Sequence, residues 1–479
     1  MRLSHSVGFG LLLLLARVPA GAQQPAGTIQ EDKTSVPPAA STPQISVPAA
    51  SSVIDENDES RMLTPPPVSG QSYPVLTGSQ ERSNYLRGGV TFVSAYSDNV
   101  LGSTGPNSTP VSDVSYSVWP TIALDETTTR LHLGLNYAPG FTFYQRTSAR
   151  NESDQNAAIN FQYRMSPHVT ISAVDSFQKS SNVFNQPDLG SAGAVSGGAQ
   201  PANLSVIAPL SDRISNIGNV GISYQFAANA MIGAGGSFAN LHYPNQTEVP
   251  GLVDSESQAG SAFYSYRVAP GNYLGVAYQY QRLLSFPTQG ENETETHAIL
   301  AFYTLHPSKR FSISMFGGPQ YLDVGPQFLI GVANPEPGSQ SWTPAGGASV
   351  SWQGQSTNLA VSYSHIVAGG GGLIGAVKMD SAMASIRQQI GRALSASLSG
   401  GYAQNSFVGG SSSAAADSTD GHTVSGTVSL QRLFGEHLNV QLGYTRLHQS
   451  YNVAAVSTTP DTNREFVSVS YQFARPLGR

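Results

Sequence analysis

The chain has 479 residues, of which 11% are charged, 9% are aromatic and none is cysteine. The lack of cysteine excludes disulfides, thiolate zinc sites, thiol catalysis and the lipidated cysteine of bacterial lipoproteins. The formal net charge of -6 comes without a basic stripe or a long run of like charges, which argues against nucleic acid as a partner.

The first 22 residues have the pattern of a secretory signal peptide. Arg2 provides a positive start, residues 7–16 form a Leu-rich apolar core, and small residues at 20–22 fit a cleavage site. The apolar core is far shorter than the ~20 residues that a membrane-spanning helix needs. We therefore expect cleavage after Ala22 and not a membrane anchor.

Residues 23–83 are rich in Pro, Ala, Ser and Thr and poor in aromatic side chains. Such a segment cannot bury enough apolar surface to offset the entropy lost on ordering. We expect a disordered lead in the periplasm, followed by a barrel that covers residues 84–479.

From residue 84 onward, apolar and polar residues alternate. The clearest example is residues 131–143, where Leu, Tyr and Phe occupy most odd positions and small or polar residues occupy the even ones. This period of two predicts strands with one apolar and one polar face. The runs are about 10 to 12 residues long, which suits a tilted strand that crosses the apolar band of an outer membrane.

Short and long connections alternate between the predicted strands. We expect short turns near residues 125–129, 166–167, 227–230, 269–272, 306–309, 354–357, 391–392 and 434–436. Together with nine longer polar loops, these eight turns predict eighteen strands, or sixteen if segment 380–390 and its partner are not strands. Outer-membrane barrels have this alternation, with short periplasmic turns and long extracellular loops. The predicted fold is an all-β transmembrane antiparallel barrel.

The polar face of these strands would line the lumen. Its amide and hydroxyl groups can hydrogen-bond a hydrophilic solute with little selection for charge. The candidate lumen-lining residues are Arg130, His132, Asn136, Asn160, Gln162, Arg164, Gln279, Gln281, Arg387 and Gln441. Two long loops, residues 180–212 and 323–341, are candidates to narrow the mouth.

The sequence contains no convincing motif for catalysis, a cofactor or a metal. Its ten histidines are scattered, with no pair at the spacing of a helical metal site. An alternative is a barrel enzyme in which His132 acts with a Ser on a neighbouring strand, but no nucleophile motif accompanies it. We expect neither enzyme activity nor a cofactor.

Two short segments carry a family resemblance. Residues 95–100 place an aromatic residue just before Asp-Asn at the end of the first strand, and residues 466–473 place Val467, Val469, Tyr471 and Phe473 on one face. The sequence thereby resembles the outer-membrane β-barrel porin families of Gram-negative bacteria, of the variable-length type that accompanies exopolysaccharide systems. It departs from typical members by continuing for six residues beyond Phe473.

The resemblance implies a porin-like channel in the outer membrane, surrounded by lipid and lipopolysaccharide. It also implies that the closing strand is recognised by the barrel-assembly machinery. The expected cargo is small hydrophilic solutes or a polysaccharide, with exopolysaccharide export as the more specific expectation. The alternative is a non-conducting structural or receptor barrel that binds ligands through its extracellular loops.

Overall fold

The computed structural model describes residue 62 and residues 84–101, 109–180, 212–246, 252–287, 290–308, 310–328, 335, 337–369, 376–408, 421–453, 456–458 and 461–476. The predicted signal peptide lies outside the described residues, and so does the predicted lead apart from Met62. Both assignments stay predictions. In the described part of the chain, no helix is long and apolar enough to span a bilayer.

Antiparallel strands make up nearly all of the described chain. Their bounds are Tyr85–Ser97 (β1), Asp113–Thr127 (β2), Leu131–Tyr144 (β3), Glu152–Arg164 (β4), Val169–Ser180 (β5), Arg213–Ala227 (β6), Ala230–His242 (β7), Asp254–Ala269 (β8), Asn272–Phe286 (β9), Asn292–Ser308 (β10), Phe311–Val324 (β11), Ser339–Gln353 (β12), Thr357–Gly369 (β13), Ala376–Ile390 (β14), Leu394–Phe407 (β15), Gly421–Phe434 (β16), Leu438–Val453 (β17), Val456–Thr458 (β18) and Asp461–Pro476 (β19). A single 3₁₀ turn, Ser148–Arg150, interrupts the described connection between β3 and β4.

The sheet closes on itself. β1 pairs along its whole length with β2 on one edge and with β19 on the other, from Tyr85 opposite Pro476 to Ser97 opposite Arg464. β18 is a three-residue strand that pairs with the end of β17, and β17 pairs directly with β19. Eighteen strands therefore form the wall. This confirms the larger of the two predicted counts, because β14 is a full strand paired with both neighbours.

The predicted alternation of connection lengths is also confirmed. Between the eighteen wall strands, with β18 counted as part of the connection from β17 to β19, eight connections leave two to four residues and the other nine leave five or more. Three of the short turns use a glycine with positive φ, at Gly271, Gly391 and Gly435. Glycine adopts this backbone conformation without the steric cost that a side chain would add.

Successive residues of each strand face opposite sides of the wall. One face carries exposed large apolar side chains, such as Val220, Ile299 and Leu442. The opposite face carries buried small polar side chains, such as Asn160 and Ser470. We call the first face outward and the second inward. A continuous exposed apolar belt on a closed antiparallel barrel is the surface that hydrocarbon covers in transmembrane barrels.

A pair of neighbouring residues on β17 tests this division. We expect Leu442→Lys, on the outward belt, to cost about 2 to 4 kcal/mol of folding free energy in lipid vesicles, because the ammonium group would lie in hydrocarbon. Gln441→Lys, on the inward face, should cost much less. Urea-dependent folding into vesicles measures both variants, and equal costs would contradict the assignment of the two faces.

Candidate functional site: the lumen and its loop-side mouth

Pairs of hydroxyl groups join neighbouring strands on the inward face. Ser117 bonds Thr142 at 2.8 Å between β2 and β3, and Ser364 bonds Ser381 at 2.7 Å between β13 and β14. Further pairs join Thr91 to Ser470, Ser312 to Ser351, Ser397 to Ser429, and Thr427 to Thr445. Cross-strand pairs of this kind stabilise a sheet. Here they also make much of the inner wall hydrophilic.

Nine of the ten candidate lumen-lining residues lie in strands at inward positions. They are His132, Asn136, Asn160, Gln162, Arg164, Gln279, Gln281, Arg387 and Gln441. Arg130 instead lies exposed in the turn between β2 and β3, one residue before the wall begins. Their role as a lining for a solute stays a proposal.

The structure brings some of these residues together. His132 lies opposite Gln162 in the ladder between β3 and β4. Arg387 donates to Gln431 at 3.3 Å, and Gln431 lies opposite Gln441. Strands β14, β16 and β17 therefore each contribute one side chain to a polar cluster. Gln431 was not among the predicted lumen-lining residues, although it is in step with the inward Ser429 and out of step with the outward Val428 and Leu430.

His132 was also the candidate for a catalytic role. Its Nδ1 lies 2.9 Å from the hydroxyl of Thr127 on the neighbouring strand. No group of three His, Asp or Glu side chains within the described ranges is arranged to hold a metal ion. The contact between Thr127 and His132 joins β2 to β3 on the polar inner wall, and the lack of enzyme activity stays an expectation.

Two inward asparagines are exceptions to the pairing of polar groups on the inner wall. Asn219 is 6% exposed and Asn439 is 1% exposed. Among the described residues, neither the amide nitrogen nor the amide oxygen of either side chain has a hydrogen-bond partner, and these atoms are closed to the lumen. Buried amides normally bond protein or water.

One part of the inner wall is apolar, a feature that the sequence analysis missed. Inward side chains from five consecutive strands, β8 to β12, pack into what we call the inner apolar patch. Its members are Phe263, Ala277, Ala298, Leu300, Phe302, Phe316 and Ala345. The sequence contains a signal for this patch, because each of its three phenylalanines occupies a position of its strand that the alternation assigns to the polar face. In the ladder, each of them lies opposite a glycine of a neighbouring strand. The lumen thus has a polar wall with one aromatic side.

Glycines on adjacent strands allow the inward aromatic rings to lie flat. A Cβ at Gly233 would overlap the ring of Phe263, and one at Gly443 would overlap the ring of Phe466. Glycine in a strand often marks a place where another group approaches closely. Because the rings rest on the wall, they do not project across the lumen.

On the loop side, the end of β13 separates from β12, whereas β14 stays paired with β15 up to Val377 opposite Phe407. The ladder between β12 and β13 stops at Gly346 and His365, whereas β13 and β14 stay paired up to Gly369 and Ala376. Pro344 lies in the part of β12 beyond this point. Proline cannot donate to a ladder and is confined to strand edges, which fits the loss of pairing there. We call residues 366–369 and 376–379 the mouth hairpin.

Both faces of the mouth hairpin are packed. One face, with Ile366, Ala368, Val377 and Met379, forms a cluster with Leu241, Tyr243 and Leu252 from β7 and its following loop. The other face, with Val367 and Ala376, joins Val408 in a cluster with Leu283, Leu322 and Val324 from the inward faces of β9 and β11. The mouth hairpin therefore lies inside the barrel mouth, between two parts of the wall.

Asp254 holds the β7 side of this cluster in place. It accepts hydrogen bonds from the backbone N–H of Tyr243 and from the side chain of Gln246, both at 2.9 Å. Burial raises the pKa of Tyr243 to about 12, an effect that outweighs the nearby Arg213 guanidinium. The raised pKa extends the pH range over which the phenol stays neutral, which suits its contact with the apolar hairpin.

The narrowing of the mouth by the two long loops stays a prediction. Residues 181–211 of the first loop and residues 329–334 and 336 of the second lie outside the described residues. Within the described ranges, strand ends narrow the mouth, and Val324 at the start of the second loop contributes to their packing.

No family model matches the chain, and no curated protein matches its sequence. Among solved structures, it is similar to OccAB4 of Acinetobacter baumannii at 10% identity and a TM-score of 0.38, over 83% of this chain and 99% of that chain. It is also similar to OpdQ of Pseudomonas aeruginosa at 10% identity and a TM-score of 0.40, over 81% of this chain and 98% of that chain. Similarities at this level of identity and TM-score do not establish the fold, which is assigned from the strand ladder of this chain.

The contact between Gly443 and Phe466 tests how the inner aromatic rings are seated. We expect Gly443→Ala to cost about 1 to 3 kcal/mol of stability, because the new methyl group overlaps the ring and forces it off the wall. In a Phe466→Ala background the same change should be nearly neutral. A double-mutant cycle of folding free energies measures the coupling, and additive effects would contradict the flat arrangement.

Proposed function

We propose that the protein is an outer-membrane channel that passes small hydrophilic solutes. The observation that carries this proposal is the closed eighteen-strand ladder with apolar side chains outside and mostly polar side chains inside. Barrels of 16 to 18 strands are wide enough to hold an aqueous channel. The cross-strand hydroxyl pairs, such as Ser117 with Thr142, give the inner wall the hydrophilic surface that such a channel needs.

The outer membrane is the location that this architecture favours. A sheet can cross hydrocarbon only when every edge is paired, and the ladder between β1 and β19 meets that condition. Outer-membrane barrels place their short turns in the periplasm. Tyr85 and Pro476 lie opposite each other at the short-turn end. We therefore place the segment before Tyr85, the predicted lead, in the periplasm.

An outward polar collar at the loop-side end of the wall supports this orientation. Asp380 accepts a hydrogen bond from Tyr363 at 2.7 Å and lies 2.8 Å from His365. A similar pair joins Arg282 to Glu293. Such groups suit the polar headgroup region more than hydrocarbon. We infer that the collar contacts lipopolysaccharide headgroups in the outer leaflet.

The mouth hairpin favours small solutes. It occupies part of the loop-side opening and is fixed by apolar packing on both faces. Polysaccharide export, and recognition by the barrel-assembly machinery, stay predictions that depend on the sequence resemblance. The absence of enzyme activity likewise stays an expectation.

Single-channel recording in planar bilayers tests the channel. We expect reproducible conductance steps for the unmodified protein and larger steps for Val377→Asn. Val377 is fully buried in the hairpin cluster, so an amide there should loosen the packing and widen the mouth. Val377→Ile, which keeps the site apolar, is the control and should resemble the unmodified protein.

A barrel that folds but conducts in none of these variants would overturn the proposal. That result would support the non-conducting structural or receptor barrel instead. Equal conductance of Val377→Asn and Val377→Ile, with steps present in both, would show that the mouth hairpin does not limit passage.

A further inference from the structure

Met62 is the one described residue before Asn84, and it is buried. Its side chain is 4% exposed. It packs in a cluster with Met231 and Tyr273, against which Phe263 also lies. A residue from a Pro-rich, polar segment would not be expected to bury its side chain unless it had a specific partner.

The partners of Met62 lie on the inward face near the short-turn end. Met231 is the second residue of β7, and Tyr273 is the second residue of β9, directly after the turn that contains Gly271. Phe263 lies farther along β8 and belongs also to the inner apolar patch. Met62 therefore sits inside the lumen, at its periplasmic end in the proposed orientation.

A hydrogen bond fixes the backbone at this position. The N–H of Met62 donates to Oε1 of Gln225 at 3.1 Å. The same Gln225 side chain donates through Nε2 to the carbonyl of Ala228, at 3.4 Å, in the turn between β6 and β7. This second contact orients the amide so that its oxygen can accept from Met62. A buried backbone N–H requires such a partner.

The pocket also suits methionine chemically. Two aromatic rings, of Phe263 and Tyr273, lie beside another thioether, that of Met231. Methionine is unbranched and polarizable and makes favourable contacts with aromatic rings. Gly233 leaves room for the Phe263 ring to lie flat on the wall next to Met231.

We propose that Met62 is a resident intramolecular ligand of this pocket, at the periplasmic end of the lumen in the proposed orientation. We call Gln225, Met231, Phe263 and Tyr273 the lead pocket. The 22 residues between Met62 and Tyr85 reach on the order of 70 Å when extended, which is ample to connect β1 with β6–β9. This goes beyond the channel function, because it assigns the lead a defined binding site.

Site-specific cross-linking tests the contact directly. The chain has no native cysteine, so Met62→Cys with Gln225→Cys can be treated with a short bis-methanethiosulfonate reagent and analysed by mass spectrometry. We expect an intramolecular 62–225 cross-link in the folded full-length protein. Met62→Cys with Gln441→Cys is the matched control, since Gln441 is also an inward glutamine but lies on β17. A 62–441 cross-link whose yield equals or exceeds that of the 62–225 cross-link would overturn the proposal.

Limited proteolysis provides an independent readout. Trypsin cuts after Arg61, and the burial of Met62 should protect the bond between these two residues. We expect a double variant, Gln225→Ala with Met231→Ser, to be cut there several-fold faster, although its cleavage sequence is unchanged. Met383→Ser, the same change at an inward methionine on β14, should leave the rate unaltered. Equal rates in all three proteins would contradict the pocket. Neither assay measures conductance, so a result that contradicts the lead pocket is distinguishable from a result that contradicts the channel.

Discussion

The ladder between β1 and β19 is the constraint on which the rest of the structure depends. In hydrocarbon, an unpaired backbone N–H or C=O costs several kcal/mol, so a sheet with a free edge is not stable there. Thirteen residue pairs, from Tyr85 with Pro476 to Ser97 with Arg464, remove that edge. These two strands are separated by nearly the whole chain, so closure requires every intervening strand to be in register.

Closure also determines the chemistry of the two faces. Once the sheet is a barrel, each residue points either to the outside or to the lumen, and strict alternation follows. The side chains of the inward face can then differ from one strand to another while the apolar belt on the outward face is kept. Its hydroxyl pairs, the inner apolar patch and the lead pocket all use this freedom, and the last two adjoin each other at Phe263. At the mouth hairpin both faces of two strands are buried, because the end of β13 separates from β12 there and the hairpin packs inside the mouth.

Much of the fold could be predicted from the sequence because its signals are local. The period of two, the turn residues and the alternation of connection lengths each act within a few residues, and they led to the correct strand count. The features that were missed depend on distant residues. Residues 366–368 are consecutively apolar, which is typical of a strand buried on both faces, but the partners Leu241 and Leu322 come from strands far along the chain. Met62 has no local pattern at all, and its burial depends on three strands that follow it by more than 150 residues.

Cysteine-scanning accessibility along β17 tests the central claim most directly, which is a closed wall with one face in lipid and the other toward water. In the Cys-free protein, single cysteines at residues 440, 441, 442, 444 and 445 would be introduced and the folded variants reconstituted in lipid vesicles. Position 443 is left out because the ring of Phe466 covers it. A membrane-impermeant, water-soluble thiol reagent should label positions 441 and 445, which face inward, and spare 440, 442 and 444. Labelling that does not separate these two sets of positions would contradict the account.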